Sequence, residues 1–304
     1  MSKIILVIGA SGSQGGEVLL QLQRDKKFKI RVLQRKESDF SKRMRKEGVE
    51  VVIGDLNDED SLVKATENVY GIFSVLAVSM DIANNKEISQ ETNLVNAAQK
   101  NNVQILIHAS VARAGDEQNF KDWNEKDRTP FYHSYWEGKT GANNAIKNSK
   151  LPHWVIFKPA WMMDNFLKGR SLILPDLKNG LIDNNVKLDT KLDFICALDQ
   201  ARFVCDAFEN IEKYDKKEID LAAESLTFSE VADIIFKNFN KKIKVVYTER
   251  SEMIKRGVPK PIVDSYEWDN IEGYKVDIEK VKSYGVKMTD FNEFCRIYKD
   301  RLDI

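Results

Sequence analysis

Lys3-Ile-Ile-Leu-Val-Ile-Gly9-Ala10-Ser11-Gly12-Ser13-Gln14-Gly15-Gly16 is the stretch that decides how the rest of the chain is read. Five apolar residues, Ile4 to Ile8, are too few for a helix and suit a strand buried on both faces. They run straight into the glycines, and helix-compatible sequence follows from Glu17. A glycine turn lets the backbone pass close to a pyrophosphate, while the free N–H groups and positive dipole end of the next helix attract its charge. Gly9 is expected to make the tight turn, Gly12 the close approach, and Gly15 or Gly16 the contact between helix and strand. The spacing is Gly-x-x-Gly-x-x-Gly rather than Gly-x-Gly-x-x-Gly, so a tight turn without a ligand is the competing reading.

Working outward, Lys29 to Arg35 reads as a second strand. An NAD site places an Asp or Glu about 20 residues beyond the glycines, to accept from the ribose 2′-hydroxyl. Here that position is Arg35, with Lys36 beside it. A guanidinium cannot accept that bond but can clamp a 2′-phosphate, so NADP is the cofactor expected; a plain surface arginine is the alternative. Residues 38–47 read as a basic helix face flanked by acids, Val49 to Ile53 as a third strand, and Gly54-Asp55-Leu56 as its end. Asp55 could accept from an adenine amino group with Leu56 packed on the ring, or simply begin the acidic lead into the next helix.

Tyr70 to Val78 reads as a fourth strand, Asp81 to Asn102 as a long helix, and Gln104 to Ser110 as a fifth strand. Val111 to Arg128 is charged and loop-like, long enough for a flexible flap or for surface decoration. Tyr135-Trp-Glu-Gly-Lys139 puts a phenol and an ammonium on one helix face, where the cation would favour phenolate and Tyr135 could give a proton to a carbonyl receiving hydride. Chance alone gives about one such pair in a chain with nine tyrosines and 47 basic residues, so its place after the fifth strand carries the reading, not its spacing. Leu151 to Pro159 is a sixth strand. Beyond it, Asp164 and Asn165 could position a nicotinamide or substrate, with Trp161 and Met162 as an apolar wall or as core. Phe194 to Cys196 reads as a short strand, Asp199 as the cap of a helix to Glu209, and Glu218 to Ala223 as a return to the sheet edge. Thr227-x-x-Glu230 is a capping box, Ile243 to Tyr247 one more strand, and residues 250–304 are mostly helical, broken at Pro259 and Pro261.

The whole composition agrees with a soluble α/β chain of 304 residues whose 47 basic and 47 acidic side chains cancel, leaving no global field for nucleic acid or membrane. Three dispersed cysteines and three isolated histidines suggest neither a disulfide framework nor a metal site. No apolar run approaches a membrane span or signal peptide. A cytoplasmic protein is expected, with nuclear entry left open.

The glycine stretch with Gln34-Arg35, Gly54-Asp55-Leu56, Gly138-Lys139 and Lys158-Pro159…Asp164-Asn165-Phe166 resembles the NmrA-like family of atypical short-chain dehydrogenase/reductases. The likeness spans nearly the full length, including Glu224 to Asp233. It implies a Rossmann, doubly wound parallel sheet over residues 1–160, completed by segments near 194–224, and a smaller α+β C-terminal domain over residues 161–304 for substrate or effector. It implies cofactor contacts from Gly9, Ala10, Ser11, Gly12, Ser13, Gln14 and Gly15, from Arg35 with Lys36, from Asp55 and Leu56, from Leu76, Ala77 and Val78, from Lys139, and from Trp161, Met162, Asp164 and Asn165. Tyr135 and Lys139 are the candidate catalytic pair. Some members are reductases; others bind NADP(H) without known turnover and act as redox sensors. Sensor-like members commonly lack the tyrosine present here, whereas enzymatic relatives place a Ser or Thr nearer it than Ser110. The expected function is therefore an NADP(H)-binding redox sensor with a regulatory protein partner, and the alternative an NADPH-dependent oxidoreductase acting on a quinone or small carbonyl compound.

Overall fold

The computed structural model describes residues 3–78, 85–169 and 173–304. In chain order the elements are β1 (Ile4–Val7), α1 (Ser13–Asp25), β2 (Lys29–Gln34), α2 (Asp39–Lys46), β3 (Glu50–Ile53), α3 (Glu59–Ala65), β4 (Gly71–Val75), α4 (Lys86–Lys100), β5 (Ile105–Ala109), α5 (Pro130–Lys147) and β6 (His153–Pro159). They continue with β7 (Trp161–Met162), β8 (Leu181–Asn184), β9 (Leu192–Ile195), α6 (Ala197–Glu209), α7 (Ile211–Tyr214), β10 (Lys217–Leu221), β11 (Glu224–Leu226), α8 (Phe228–Phe239), β12 (Lys244–Tyr247), α9 (Arg250–Lys255), α10 (Lys260–Ile271), α11 (Ile278–Lys282) and α12 (Phe291–Ile297). Two compact units result: Met1–Gly115 with Ser134–Lys158 and Ala197–Ile219, and Asp116–His133 with Pro159–Cys196 and Asp220–Ile304.

The first unit is built on a seven-stranded sheet of order β10-β6-β5-β4-β1-β2-β3, parallel at every pairing from β3 across to β6. This is a Rossmann-like doubly wound sheet. Strands buried on both faces read as apolar runs because helices cover each side, and here Ile5, Leu6 and Val7 of β1 are fully buried. Leu6, Ile72, Leu106 and Ile156 of the strands share one apolar cluster with Leu62, Leu94, Ala98 and Ile146 of α3, α4 and α5. The chain winds β1 to β3 in one direction and β4 to β6 in the other, so a crevice opens beyond the carboxyl ends of β1 and β4, where ligands bind in such sheets.

In the second unit, β11-β9-β7 and β12-β8 form two small sheets. Its core is aromatic: Trp161 packs on Phe166, Phe194 and Phe228, and Phe291 on Phe166 and Phe194. The Thr227 and Glu230 capping box opens α8 as its sequence requires.

Several expected boundaries are corrected. β4 stops at Val75, not Val78, because its last partner, Ala109, ends β5. The helix expected from Asp81 runs from Lys86; residues 81–84 lie outside the described residues. Asp199 is not a cap. It sits inside α6 and accepts from Arg202 at 2.7 Å. Pro259 and Pro261 open α10 rather than merely ending a helix, which suits residues with no N–H to lose. The charged segment 111–128 is not a free flap. Phe120, Asp122, Trp123 and Arg128 are buried, and Arg128 pairs with Asp122 and, at 3.1 Å, with Glu267.

Candidate functional site

The crevice is made at its floor by the loop between β1 and α1. Gly9 has φ +75°, a conformation that favours glycine, and a Cβ there would meet Val75 Cγ1 at 2.5 Å. At Gly15 the φ is ordinary, but a Cβ would lie 2.3 Å from the Gly9 carbonyl oxygen and 2.5 Å from its carbon. Gly15 thus lets the helix start fold back against the loop itself, more than against a strand. Gly12 is the N-cap of α1, so no cap side chain accepts from the first-turn N–H groups among the described residues, and that turn carries no acid. The unspent donors and positive dipole end leave a place for an anion. Ala10 is buried, Ser11 exposed, and Ser13 and Gln14 half-buried, with Gln14 Oε1 lacking a hydrogen-bond partner among the described residues.

Arg35 and Lys36 stand exposed just past β2 and make no ion pair among the described residues. The acid beside them, Glu37, is held by both guanidinium nitrogens of Arg45 at 2.6 and 2.7 Å, which also holds its carboxyl below the usual range. A groove of 440 Å³ adjoins the loop, lined by Ser11, Gly12, Gln23, Phe40 and Arg43 among others. A glycine cradle, an uncapped helix and a guanidinium not taken up by a carboxylate fit a dinucleotide diphosphate with one further phosphate.

Around the crevice the remaining candidates are in different states. Asp55 Oδ1 accepts from the Asn57 backbone and amide at 2.8 and 2.7 Å, so much of its acceptor capacity closes its own loop. Leu56 is partly buried against the apolar cluster. Leu76 is buried beyond the end of β4, while Ala77 and Val78 are exposed. Ser110 follows β5, is buried, and has an Oγ without a hydrogen-bond partner among the described residues.

On α5, Tyr135 and Lys139 do lie on one face: Nζ sits over the tyrosine ring, 5.8 Å from its centroid. Lys139 is buried, and its ammonium donates to Glu87 Oε1 of α4 at 3.0 Å. Sequence reasoning missed this partner and the polar set beneath it. Glu91, one turn on from Glu87, is fully buried and accepts from Ser74 Oγ of β4 at 3.2 Å; Ser74 Oγ also lies 2.7 Å from His108 Nδ1 of β5. Burial pushes the Glu91 carboxyl up to about 8, and the Glu87 charge adds to that against the opposing pull of Lys139 and the Ser74 bond. Burial, with the Lys139 charge, pushes the His108 imidazole down to about 3. A signal was present: Glu87 and Glu91 share the spacing of Leu94 and Ala98, which placed two acids on the helix face turned to the core.

In the second unit, Trp161 packs into the aromatic core, the second of the two places its sequence left open. Asp164 is buried, and Met162 and Asn165 are half-buried.

A profile of the NmrA-like family matches residues 1–295. The chain belongs to the NmrA-like family. An NmrA-like family domain-containing protein of Dictyostelium discoideum is 25% identical over 320 residues, covering all of both chains. Among solved structures, NmrA, a negative transcriptional regulator, superposes with a TM-score of 0.75 at 17% identity over 97% of this chain and 95% of that one. The NADPH-dependent quinone oxidoreductase QOR2 of Escherichia coli, complexed with NADPH, also gives 0.75 at 17% identity, over 97% and 99% of the two chains. At such identities these two likenesses speak to the fold alone. Within this NmrA-like chain, the glycine loop, Arg35 and the Tyr135–Lys139 pair all lie in the first unit.

Proposed function

We propose that this NmrA-like chain binds NADP(H) in the first unit and serves as a redox-responsive regulator. The observation that carries the cofactor reading is the glycine cradle ahead of an uncapped α1, with Arg35 unpaired among the described residues. The α1 N–H groups would hold the diphosphate, and Arg35 with Lys36 the 2′-phosphate. Lys139 would donate to a ribose hydroxyl. When bound, the dinucleotide supplies the nicotinamide ring whose oxidation state is to be sensed. A regulator further needs different affinities in two conformations, one for each oxidation state.

Lys139 favours sensing over rapid turnover. A phenol is made a better acid by a nearby uncompensated cation, but Glu87 at 3.0 Å offsets most of the Lys139 field, and the ammonium faces the Tyr135 ring. The second reading, a reductase of a quinone or small carbonyl compound, draws on the same Tyr135 and on the buried Ser110 Oγ, which has no hydrogen-bond partner among the described residues. The NmrA regulator and the quinone oxidoreductase stand on either side of that choice.

Calorimetry with NADPH and NADP+ tests the first reading, and heatless titrations with both in folded protein would refute it. Arg35→Asp is expected to weaken NADP(H) by about 10- to 100-fold, the scale of lost hydrogen bonds to a charged group, with NAD(H) little changed. Equal losses for both nucleotides would remove the 2′-phosphate assignment. Steady NADPH oxidation with a panel of quinones and aldehydes, abolished by Tyr135→Phe with binding intact, would replace the sensor by the reductase.

A further inference from the structure

Lys139 is not a lone ammonium but the most exposed member of a buried set drawn from four elements. α5 supplies Lys139, α4 supplies Glu87 and Glu91, β4 supplies Ser74 and β5 supplies His108. Glu87 holds Nζ at 3.0 Å. Behind it Glu91 Oε1 accepts from Ser74, and Glu91 Oε2 lies 3.4 Å from His108 Nδ1 without a hydrogen-bond partner among the described residues. Lys139 is 6% exposed, Glu87 3%, His108 1%, and Glu91 and Ser74 not at all. A buried ammonium beside one carboxylate is a balanced pair. A second ionised carboxylate one helical turn away unbalances it, in surroundings where water screens little.

We infer that Glu87 and Glu91 are positioning residues for Lys139, and that the proton on Glu91 sets how strongly the site takes an anionic dinucleotide. The inference rests on the NADP(H) reading above. With Glu91 protonated, the set holds one cation and one anion, and the Lys139 ammonium is shared between Glu87 and the ligand. With Glu91 ionised, the same ammonium faces two carboxylates, is drawn toward α4, and the added negative charge repels the ligand. The direction of the Glu91 shift puts this change within reach of ordinary buffers, since burial holds its proton up to about 8. The charged and titratable groups facing Glu91 are Glu87, Lys139 and His108. His108 stays neutral throughout, because burial pushes it down to about 3. Proton uptake from solvent on binding follows from linkage.

The experiment is calorimetric titration of the full chain with NADPH between pH 7 and pH 9, above the range near 6 in which a phosphate monoester titrates. Affinity is expected to fall about tenfold from pH 7 to pH 9, the size linkage gives for a proton held near pH 8 and retained in the complex. At pH 8.5, buffers of different ionisation enthalpy should reveal net proton uptake by the wild type. Glu91→Gln should bind with little dependence on pH over this range. A flat wild-type profile without proton uptake overturns the inference even should the variant fail to fold, and so does a folded Glu91→Gln variant that keeps the wild-type slope. Those outcomes leave NADP(H) binding intact. Absence of binding at every pH removes the cofactor reading and this inference with it.

Discussion

Placing a methyl group on Gly15 puts it 2.3 Å from a backbone oxygen that cannot swing aside, whereas the same group on Gly16 meets only Ala10 O at 3.4 Å, an ordinary contact. Two adjacent glycines in the first turn of α1 therefore differ in consequence. Gly15→Ala is expected to cost about 1–3 kcal/mol through backbone displacement and to weaken NADPH by more than tenfold. Gly16→Ala should be neutral or should stabilise α1 by up to about 1 kcal/mol, because alanine is the better helix former. Thermal melts and nucleotide titration of both variants check this; similar behaviour of the two would remove the cradle argument. The same contrast explains which site residues could be read without coordinates. The glycines and Arg35 announce themselves by type and spacing along the chain, and the Tyr135–Lys139 pair by its place after the fifth strand. Ser74 and His108 do not, because each is the one polar side chain of an apolar strand, and Glu91 is one of many polar residues in α4; they become a set only when β4, β5 and α4 pack together. Trp161 was ambiguous for a related reason: an aromatic side chain suits a ligand wall or a core equally, and contact with Phe194 and Phe228 places it in the core.

Elements were legible where burial on both faces wrote them as uninterrupted apolar runs, as in β1, β4, β5 and β6, and less so where they are short or partly exposed. β8 and β12 pair with each other, but only β12 was expected, since Leu-Ile-Asp-Asn of β8 carries no decisive period. The segment 111–128 misled in the opposite direction: its charges suggested solvent, and residues 124–127 are exposed, yet Asp122 and Arg128 are buried as partners for each other and, through Arg128, for α10. Arg128 and Asp122 are fully buried, Tyr132 donates to Asp122 at 2.9 Å, and Thr129 Oγ1 donates to Asp264 at 2.6 Å. Burial and the adjacent Asp122 charge push the Tyr132 phenol well above its ordinary value. Arg128→Ala takes from the buried Asp122 carboxyl its cationic partner, which is expected to cost about 3–5 kcal/mol. The segment should then open to chymotrypsin at Phe120 and Trp123, side chains buried in the native protein. Urea unfolding and limited proteolysis check this; a loss under about 1 kcal/mol with no new cleavage would show the segment to be held by its aromatic residues alone.

Over the whole molecule the 47 acids and 47 bases balance, so self-repulsion is small near neutrality and the response of stability to pH falls to buried groups whose proton affinity changes on folding. Glu91 is raised from 4.5 to about 8, so its contribution is fully present below pH 4.5 and is lost as pH rises through 8. His108 is lowered from 6.5 to about 3, so its contribution is present above pH 6.5 and is lost as pH falls toward 3. Between 4.5 and 6.5 the two slopes oppose each other. Above 6.5 only the Glu91 decline remains of this pair, at about 1.4 kcal/mol per pH unit. Asp269, buried and repelled by Asp193, is also raised and adds a decline of the same sign, so the informative quantity is a difference between proteins rather than one curve. Glu91→Gln keeps the shape of the side chain and removes its proton. Relative to wild type, this variant should gain about 2 kcal/mol between pH 6.5 and pH 8, read from urea unfolding at the two values. Parallel stability curves for the two proteins over that range would mean that Glu91 is already ionised in the fold, and that Lys139 is shared between two carboxylates at neutral pH.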